Sequence, residues 1–92
     1  MKVHFTDDGW DDYLFWSRTH RRVLDRLHAL IEDARRNRFT GLGKPEPLKD
    51  DLAGWWSRRI SAEHRLVYGI NGPPETERRS EIVACGYHDG AP

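Results

Sequence analysis

The sequence predicts a small α+β domain in which a hairpin of two helices covers one face of an antiparallel β-sheet. In the first half of the chain the apolar residues recur at helical spacing, and from Trp55 onward they alternate with a period of two. Between the two patterns, residues 38–52 contain two glycines and two prolines, which exclude a regular helix there. At 92 residues the chain is expected to form one domain, residues 1–92, with the element order β-α-α-β-β-β.

The first half begins with a predicted short strand, Lys2–Thr6. Thr6 has the side chain of a helix N-cap, and the two aspartates that follow it are favourable in a first helical turn. Thr19 is a second N-cap candidate, ahead of an amphipathic helix over about residues 20–37. The predicted helices are separated by few residues, so they are expected to form an antiparallel hairpin. The apolar stripe of the second helix consists of Val23, Leu24, Leu27, Leu30, Ile31 and Ala34.

The second half contains three predicted strands, at Trp55–Ile60, Arg65–Ile70 and Glu81–His88. A short turn near Ser61–Glu63 joins the first two strands. A turn centred there places Arg59 opposite Arg65 on one face of the ladder. The segment Asn71–Ser80 contains a glycine, two prolines and several charged residues, so it is predicted to be a loop.

The composition excludes several classes of protein. A single cysteine excludes an internal disulfide framework and a zinc site built on cysteine pairs. No apolar run approaches the roughly 20 residues that span a bilayer. The N-terminal residues lack the apolar stretch of a secretory signal. The expected location is therefore the cytoplasm, with no membrane association.

The charges are balanced in number but segregated along the chain. Acidic and basic residues number 15 each, and 12 of the basic residues are arginine. Residues 18–38 carry seven arginines against three acidic residues. Such a stretch is typical of a nucleic-acid-binding surface. It is equally compatible with a solvated helix face that carries intrahelical ion pairs such as Glu32–Arg36.

One carboxylate lies in a stiff loop segment, Lys44-Pro45-Glu46-Pro47-Leu48-Lys49. Pro45 fixes its own φ, and Pro47 keeps Glu46 out of the helical region of backbone conformation. Glu46 is therefore expected to be held extended between two lysines, and a catalytic base needs such positioning. The other interpretation is a surface glutamate in a proline-rich turn.

Three arginines, Arg58, Arg59 and Arg65, lie close together on paired strands of the predicted sheet. Their charges repel one another unless an anion or acidic side chains lie among them. A phosphate backbone would satisfy this requirement. The alternative is pairing within the chain, for which the nearby acidic residues are Glu63, Asp50 and Asp51.

A histidine, His88, ends the last predicted strand within the sequence Tyr87-His88-Asp89. Imidazole titrates near neutral pH, so this side chain is a candidate proton donor or acceptor. Solvent exposure without a chemical role is the alternative.

The four tryptophans, Trp10, Trp16, Trp55 and Trp56, allow two interpretations. Aromatic side chains can stack on nucleic-acid bases, but in a core of this size most of them are expected to be structural. Cys85 is expected to be a small buried hydrophobe. The histidine and carboxylate spacings predict no metal site, and no phosphate loop or dinucleotide motif is present.

Five segments, which extend over nearly the whole chain, carry a resemblance to a known family. They are Trp10-Asp11-Asp12-Tyr13-Leu14, Gly43-Lys44-Pro45-Glu46-Pro47-Leu48-Lys49, Trp56-Ser57-Arg58-Arg59-Ile60, Glu63-His64-Arg65-Leu66-Val67-Tyr68 and Tyr87-His88. Together they resemble the YoeB family, which comprises toxins of bacterial type II toxin–antitoxin pairs within the RelE/ParE-like superfamily. The most specific part of this resemblance is Gly-Lys-Pro-Glu-Pro-Leu followed closely by Trp-Ser-Arg-Arg-Ile.

The resemblance implies a small twisted antiparallel sheet with two N-terminal helices, and ribosome-dependent cleavage of mRNA in the A site. In this family the ribose 2′-OH attacks the phosphodiester without a metal or other cofactor. The products implied are a 2′,3′-cyclic phosphate or 3′-phosphate and a 5′-OH. By resemblance, Glu46 is the general base, Arg65 holds the phosphate in the transition state and His88 is the general acid. Further phosphate or substrate contacts are implied for Lys49, Arg59 and Lys44.

Two positions depart from the family pattern. Members usually end with Tyr-His-Tyr, whereas Asp89 follows His88 here, and Tyr87 is expected on the opposite face of the strand. Asp89 is a possible modulator of the site, because it favours a protonated His88 but also repels an mRNA backbone. Gly86 stands where the family often has arginine. These departures support an alternative function, a catalytically weak module that binds an antitoxin or the ribosome.

The resemblance also implies partners. They are a cognate antitoxin of the YefM/Phd type, the 70S ribosome with its mRNA, and a second copy of the chain in a homodimer. Antitoxins of this type insert a disordered acidic C-terminal segment that folds on the toxin. A ParE-like inhibitor of DNA gyrase would share the fold, but it would not need the set of Glu46, Arg65 and His88.

Overall fold

The computed structural model describes residues 2–71 and 79–84 of the chain. Within them the elements follow one another as β1 (Lys2–Phe5), α1 (Asp7–Thr19), α2 (Arg21–Arg36), β2 (Glu46–Pro47), a 3₁₀ turn (Asp50–Leu52), β3 (Trp56–Arg59), β4 (Arg65–Asn71) and β5 (Arg79–Ala84). The predicted α+β class and the predicted succession of a strand, two helices and further strands are confirmed.

The five strands form one sheet in the order β1-β5-β4-β3-β2. Neighbouring strands from β2 to β5 are antiparallel, and β1 lies parallel to β5 at the edge. Two features were not predicted, namely this parallel edge strand and the two-residue strand β2. Both depend on which separate segments pair with each other, and the periodicity of a short segment does not reveal its pairing partner.

The strand boundaries agree with the predicted pattern except at one connection. Asn71 is paired with Arg79, so Asn71, Arg79 and Ser80 belong to strands and the predicted loop at Asn71–Ser80 is wrong at both ends. Of the predicted strand Glu81–His88, residues 81–84 are in β5 and the rest lies outside the described residues. The predicted turn near Ser61–Glu63 does place Arg59 opposite Arg65.

The two helices meet at His20 and differ in how they begin. Thr6 caps α1 as predicted, because its hydroxyl accepts a hydrogen bond from the Gly9 N–H at 3.0 Å. The predicted cap at Thr19 is wrong. Thr19 is the last residue of α1, its hydroxyl donates to the Phe15 carbonyl, and α2 begins without a side-chain cap. A hydrogen bond of 2.7 Å joins Tyr13 to His28, as an antiparallel helical hairpin requires.

The core lies between the helices and one face of the sheet, which we call the inner face. The buried residues of α2 are Leu27, Leu30, Ile31 and Ala34, all from the predicted apolar stripe. They join Trp16 of α1 and three residues of the second half, Ile60, Leu66 and Tyr68. Leu66 and Tyr68 alternate along β4, so both of their side chains point inward. Among the described residues, no helix is long and apolar enough to cross a bilayer.

A fully buried arginine, Arg58, connects the core to the loop that follows α2. Its guanidinium donates to the Asp33 carboxylate at 2.6 Å and to the Tyr68 hydroxyl at 3.1 Å. It also donates to three carbonyls of the loop, those of Asn37, Thr40 and Leu42. A guanidinium has five N–H donors, and these five hydrogen bonds use all of them. The loop is therefore wrapped around a fixed charge.

Two titrating groups beside Arg58 respond to this environment. The hydrogen bond from the Leu42 N–H, and then the hydrogen bond and charge of Arg58, hold the pKa of Asp33 below its ordinary value. Burial raises the pKa of the Tyr68 hydroxyl, although its hydrogen bond with Arg58 opposes the shift. Tyr68 thus stays protonated and donates to the Arg38 carbonyl at 2.8 Å.

We predict that Arg58→Met lowers the free energy of unfolding by about 3 kcal/mol or more, because it leaves Asp33 and several carbonyls without their buried donor. Urea unfolding followed by circular dichroism measures the loss. The matched control is Arg35→Met, which removes an exposed ion pair with Glu32 and should cost less than about 0.5 kcal/mol. Equal small losses in both variants would contradict the role assigned to Arg58.

We predict that Asp33→Asn removes part of the acid dependence of stability. The pKa of Asp33 is lower in the folded chain, so its carboxylate stabilises the fold above the unfolded pKa and loses this effect as the pH falls. The stability difference between wild type and variant should therefore be largest near neutral pH and should shrink below about pH 4. Urea midpoints from pH 2 to 7 test this, with Glu32→Gln as an exposed-carboxylate control. A difference that does not change with pH would contradict it.

Candidate functional site

The sheet face opposite the helices, which we call the outer face, brings Glu46 and Arg65 together. Glu46 of β2 is in register with Ser57 of β3, which is in register with Val67 of β4. Arg65 lies two residues before Val67 on the same face. Its Nη1 donates to Glu46 Oε1 at 2.8 Å and to the Ser57 hydroxyl at 3.3 Å. Residues that are 19 positions apart in sequence thus share one site.

The backbone before Glu46 makes a turn that the sequence analysis did not predict. Gly43 and Lys44 both have positive φ, 80° and 50°, which turns the chain sharply ahead of Pro45. The Gly43 carbonyl accepts a hydrogen bond from the Arg59 N–H at 2.7 Å. Gly43 has a positive φ, and a Cβ there would lie 2.8 Å from Leu30 Cδ2 and 3.1 Å from the Arg59 carbonyl oxygen, so any larger residue would strain this close turn. The turn docks against β3 and delivers Glu46 to the edge of the sheet.

The acidic partners of the arginine group differ from those considered from sequence. Arg58 pairs with Asp33 and Arg65 pairs with Glu46, rather than with Glu63, Asp50 or Asp51. Arg58 belongs to the inner face and Arg65 to the outer face. The arginines of the two adjacent strands therefore serve the core and the candidate site, respectively. The helix-face pair considered from sequence, Glu32–Arg36, is replaced by Glu32–Arg35 at 2.9 Å.

Three further cationic residues neighbour the Glu46–Arg65 pair, either across the ladder or along the chain. Arg59 is exposed and directly opposite Arg65 in the β3–β4 ladder. Lys44 and Lys49 are exposed and flank Glu46 in the chain at the two ends of the stiff segment. The described segments next to the pair thus carry three further cationic side chains, which favour an anionic ligand.

Ser57 was not considered a site residue from sequence, and Trp55 was considered only as one of four tryptophans with two interpretations. Ser57 is fully buried beneath Arg65, and Trp55 precedes it by two residues on the same face. The detectable signal was the period of two in Trp55–Ile60, which puts Trp55, Ser57 and Arg59 on one side. Their pairing with Glu46 and Arg65 could not be inferred, because strand register across β2 and β4 is a tertiary property.

The remaining predicted site residues lie outside the described part of the chain. These are His88, Tyr87 and Asp89, together with Gly86 and Cys85. Within the residues that the structure describes, no three histidine, cysteine, aspartate or glutamate side chains come together as a possible metal site.

Comparison with known proteins identifies related sequences. A family model described as a YoeB-like toxin of bacterial type II toxin–antitoxin systems matches residues 5–89. The chain is 49% identical over 88 residues to Toxin YoeB of Escherichia coli strain K12, a match that covers 96% of this chain and 99% of that protein.

Solved structures are similar over almost the whole chain. A YoeB/ParE toxin from Agrobacterium tumefaciens superposes with a TM-score of 0.91 at 50% identity, covering 97% of this chain and 100% of that one. A YoeB dimer and a heterotetrameric YoeB–YefM toxin–antitoxin complex, both from Staphylococcus aureus, superpose with TM-scores of 0.85 and 0.83. Both are 32% identical and cover 97% of this chain and 98% of theirs.

We predict that Glu46→Gln changes the free energy of unfolding by less than about 1 kcal/mol. The Glu46 side chain is 54% exposed and that of Arg65 is 28% exposed, and ion pairs of this kind contribute little to stability. Urea unfolding of wild type and variant measures the change. A loss as large as that of a buried pair would mean that Glu46 holds the fold together, and would argue against a chemical role.

Proposed function

Because the chain belongs to the YoeB family of toxins of bacterial type II toxin–antitoxin systems, we propose that it is an mRNA endoribonuclease that cuts in the ribosomal A site and so inhibits translation. The observation that carries the proposal is the Glu46 carboxylate held 2.8 Å from the Arg65 guanidinium on the outer face. A base and a cation at this distance are the two groups that intramolecular attack by a ribose hydroxyl needs first.

In the proposed reaction Glu46 takes the proton of a ribose 2′-OH. The 2′-oxygen attacks the adjacent phosphorus, and the bond from phosphorus to the 5′-oxygen of the next nucleotide breaks. The 5′-oxygen takes a proton from His88 and leaves as a 5′-OH. The other product is a 2′,3′-cyclic phosphate or, after hydrolysis, a 3′-phosphate. Two side chains thus carry both proton transfers, so the mechanism needs no metal.

Arg65 has a second task in this scheme. The phosphoryl oxygens carry more negative charge in the pentacovalent transition state than in the substrate, so a guanidinium already in place stabilises the transition state selectively. The hydrogen bonds of Arg65 to Glu46 and Ser57 orient it before substrate arrives. Arg59, Lys44 and Lys49 add phosphate contacts around the scissile bond, which supports binding of a polyanion.

We propose two protein partners. The YoeB–YefM complex of Staphylococcus aureus supports a YefM-like antitoxin as the inhibitor, and the YoeB dimer of the same organism supports a homodimer. Several large apolar side chains of the described surface are about half exposed and offer area that a partner can bury. Among them are Phe15, Phe39 and Leu42.

We predict that Glu46→Ala and His88→Ala each lower cleavage by at least about 10²-fold, as expected for removal of one acid–base group. Purified protein is added to ribosomes programmed with a defined mRNA, and cuts are mapped by primer extension, with a ribosome-free reaction alongside. Glu63→Gln is the matched control, since it alters an exposed glutamate of the β3–β4 turn and should keep full activity.

The outcomes of this experiment separate the alternatives. Cuts at the A-site codon that require ribosomes and are lost in both variants support the proposal. Undiminished cleavage by Glu46→Ala would remove its assignment as base. A folded wild-type protein that binds ribosomes without cutting would instead be the catalytically weak module that Asp89 and Gly86 suggested.

A further inference from the structure

One tryptophan of the four lies on the same face as the proposed active site. Trp16 is buried in the core, and Trp56 is on the inner face with its ring centroid 4.8 Å from that of Phe39. Trp10 belongs to α1, where it stacks on Tyr13. Trp55 alone among the tryptophans shares the outer face with Ser57, and the proposed reaction leaves it without a role.

The Trp55 side chain is held in a defined place against the sheet. Its six-membered ring covers Gly69 of β4 so closely that a Cβ there would lie 2.6 Å from ring atoms Cε3 and Cζ3. The Trp55 carbonyl accepts a hydrogen bond from the Leu48 N–H at 2.8 Å, which continues the β2–β3 ladder beyond Pro47. Trp55 as a residue is partly exposed. It is a fixed aromatic surface beside the segment that carries Glu46.

The outer face therefore presents three kinds of group in a fixed order along β3 and the residue that precedes it. At one end are Arg59 and its cross-strand neighbour Arg65, which are cationic. In the middle is Ser57, with Glu46 in register beside it. At the other end is the Trp55 ring. Residues on one face of a strand are spaced by about 7 Å. This spacing is similar to the size of one part of a nucleotide, namely its phosphate, its ribose or its base.

A ribonucleotide has the same order of groups. The 2′-OH is on C2′, which is bonded to C1′, the carbon that carries the base, and to C3′, the carbon that carries the scissile phosphate. The base and the phosphate therefore lie on opposite sides of the attacking hydroxyl. With the 2′-OH at Glu46 and the phosphate at Arg65, the base of the same nucleotide lies toward Trp55.

We propose that Trp55 stacks on the base of the nucleotide whose 2′-OH attacks, and so positions that hydroxyl at Glu46. The inference rests on the proposed function and names a substrate contact within that site. Every base has a π-face, so the contact tolerates all four bases and makes the presence of a base matter more than its identity. Trp55 is a substrate-binding and positioning residue and takes no part in proton transfer.

The test combines protein variants with an altered substrate. Trp55→Leu removes the aromatic ring but keeps an apolar side chain over Gly69, and Trp55→Phe keeps a ring. Trp10→Leu is the matched control, because it removes a ring that is 46% exposed on α1. The substrate is the mRNA with an abasic ribonucleotide, which retains its 2′-OH, immediately 5′ of the mapped cut. Cleavage is measured in single turnover at saturating programmed ribosomes.

We expect Trp55→Leu to cut intact mRNA about tenfold more slowly than wild type, a loss in the range for one base–ring stack. Trp55→Phe should recover most of the rate, and Trp10→Leu should match wild type. Co-sedimentation with ribosomes should be unchanged in all variants. The abasic mRNA should slow wild type by about tenfold and slow Trp55→Leu by less than twofold further, because both changes remove the same contact.

Other results overturn the proposal. If wild type cuts intact and abasic mRNA at the same rate, Trp55 has no base to stack on, and this holds even if Trp55→Leu fails to fold. Losses from the two changes that multiply would assign Trp55 a purely structural role. If wild type makes no ribosome-dependent cut at all, the proposed function itself is wrong, which sets that failure apart from failure of the stacking contact alone.

Discussion

The structure depends most on the buried Arg58 guanidinium. Removing a cation from water costs several kcal/mol unless its charge and its donors are matched, and here Asp33, Tyr68 and three carbonyls of one loop match them. The matched set spans α2, the loop after it and the neighbouring strands β3 and β4. The loop that leaves α2 therefore has one arrangement, and it ends at the Gly43 turn that docks on β3. The position of Glu46 follows from this arrangement, although all five donors of Arg58 bind other groups.

Strand alternation then separates two functions within four residues of β3. The side chains of Trp56 and Arg58 face the helices and contribute to folding. Those of Ser57 and Arg59 face outward and line the site. Arg58 and Arg59 thus have the same chemistry but different roles, because successive side chains of a strand point to opposite faces. A change in register of one residue would exchange the two sets and destroy both the core and the site.

The two arginine–carboxylate pairs also differ in solvation, and the difference fits their roles. The Arg58–Asp33 pair has a fully buried guanidinium and persists as part of the fold. The Arg65–Glu46 pair is partly exposed, so its partners are held together weakly, and in the proposed reaction each exchanges its contact for a substrate group. In the proposed reaction, such a pair is oriented before the substrate binds but is weak enough for the substrate to displace. Trp55, fixed over Gly69, adds an apolar surface next to these charges.

From the sequence alone, the helices, the period-two strands, the cap at Thr6 and the opposition of Arg59 to Arg65 could be predicted, because each depends on residues near in the chain. The segment around Glu46 and the family resemblance could also be identified there. The sequence did not determine that Asp33 pairs with Arg58 or that Glu46 reaches Arg65. Each of these requires segments distant in sequence to meet, and only the burial of the core and the register of β2, β3 and β4 decide which polar groups then face one another.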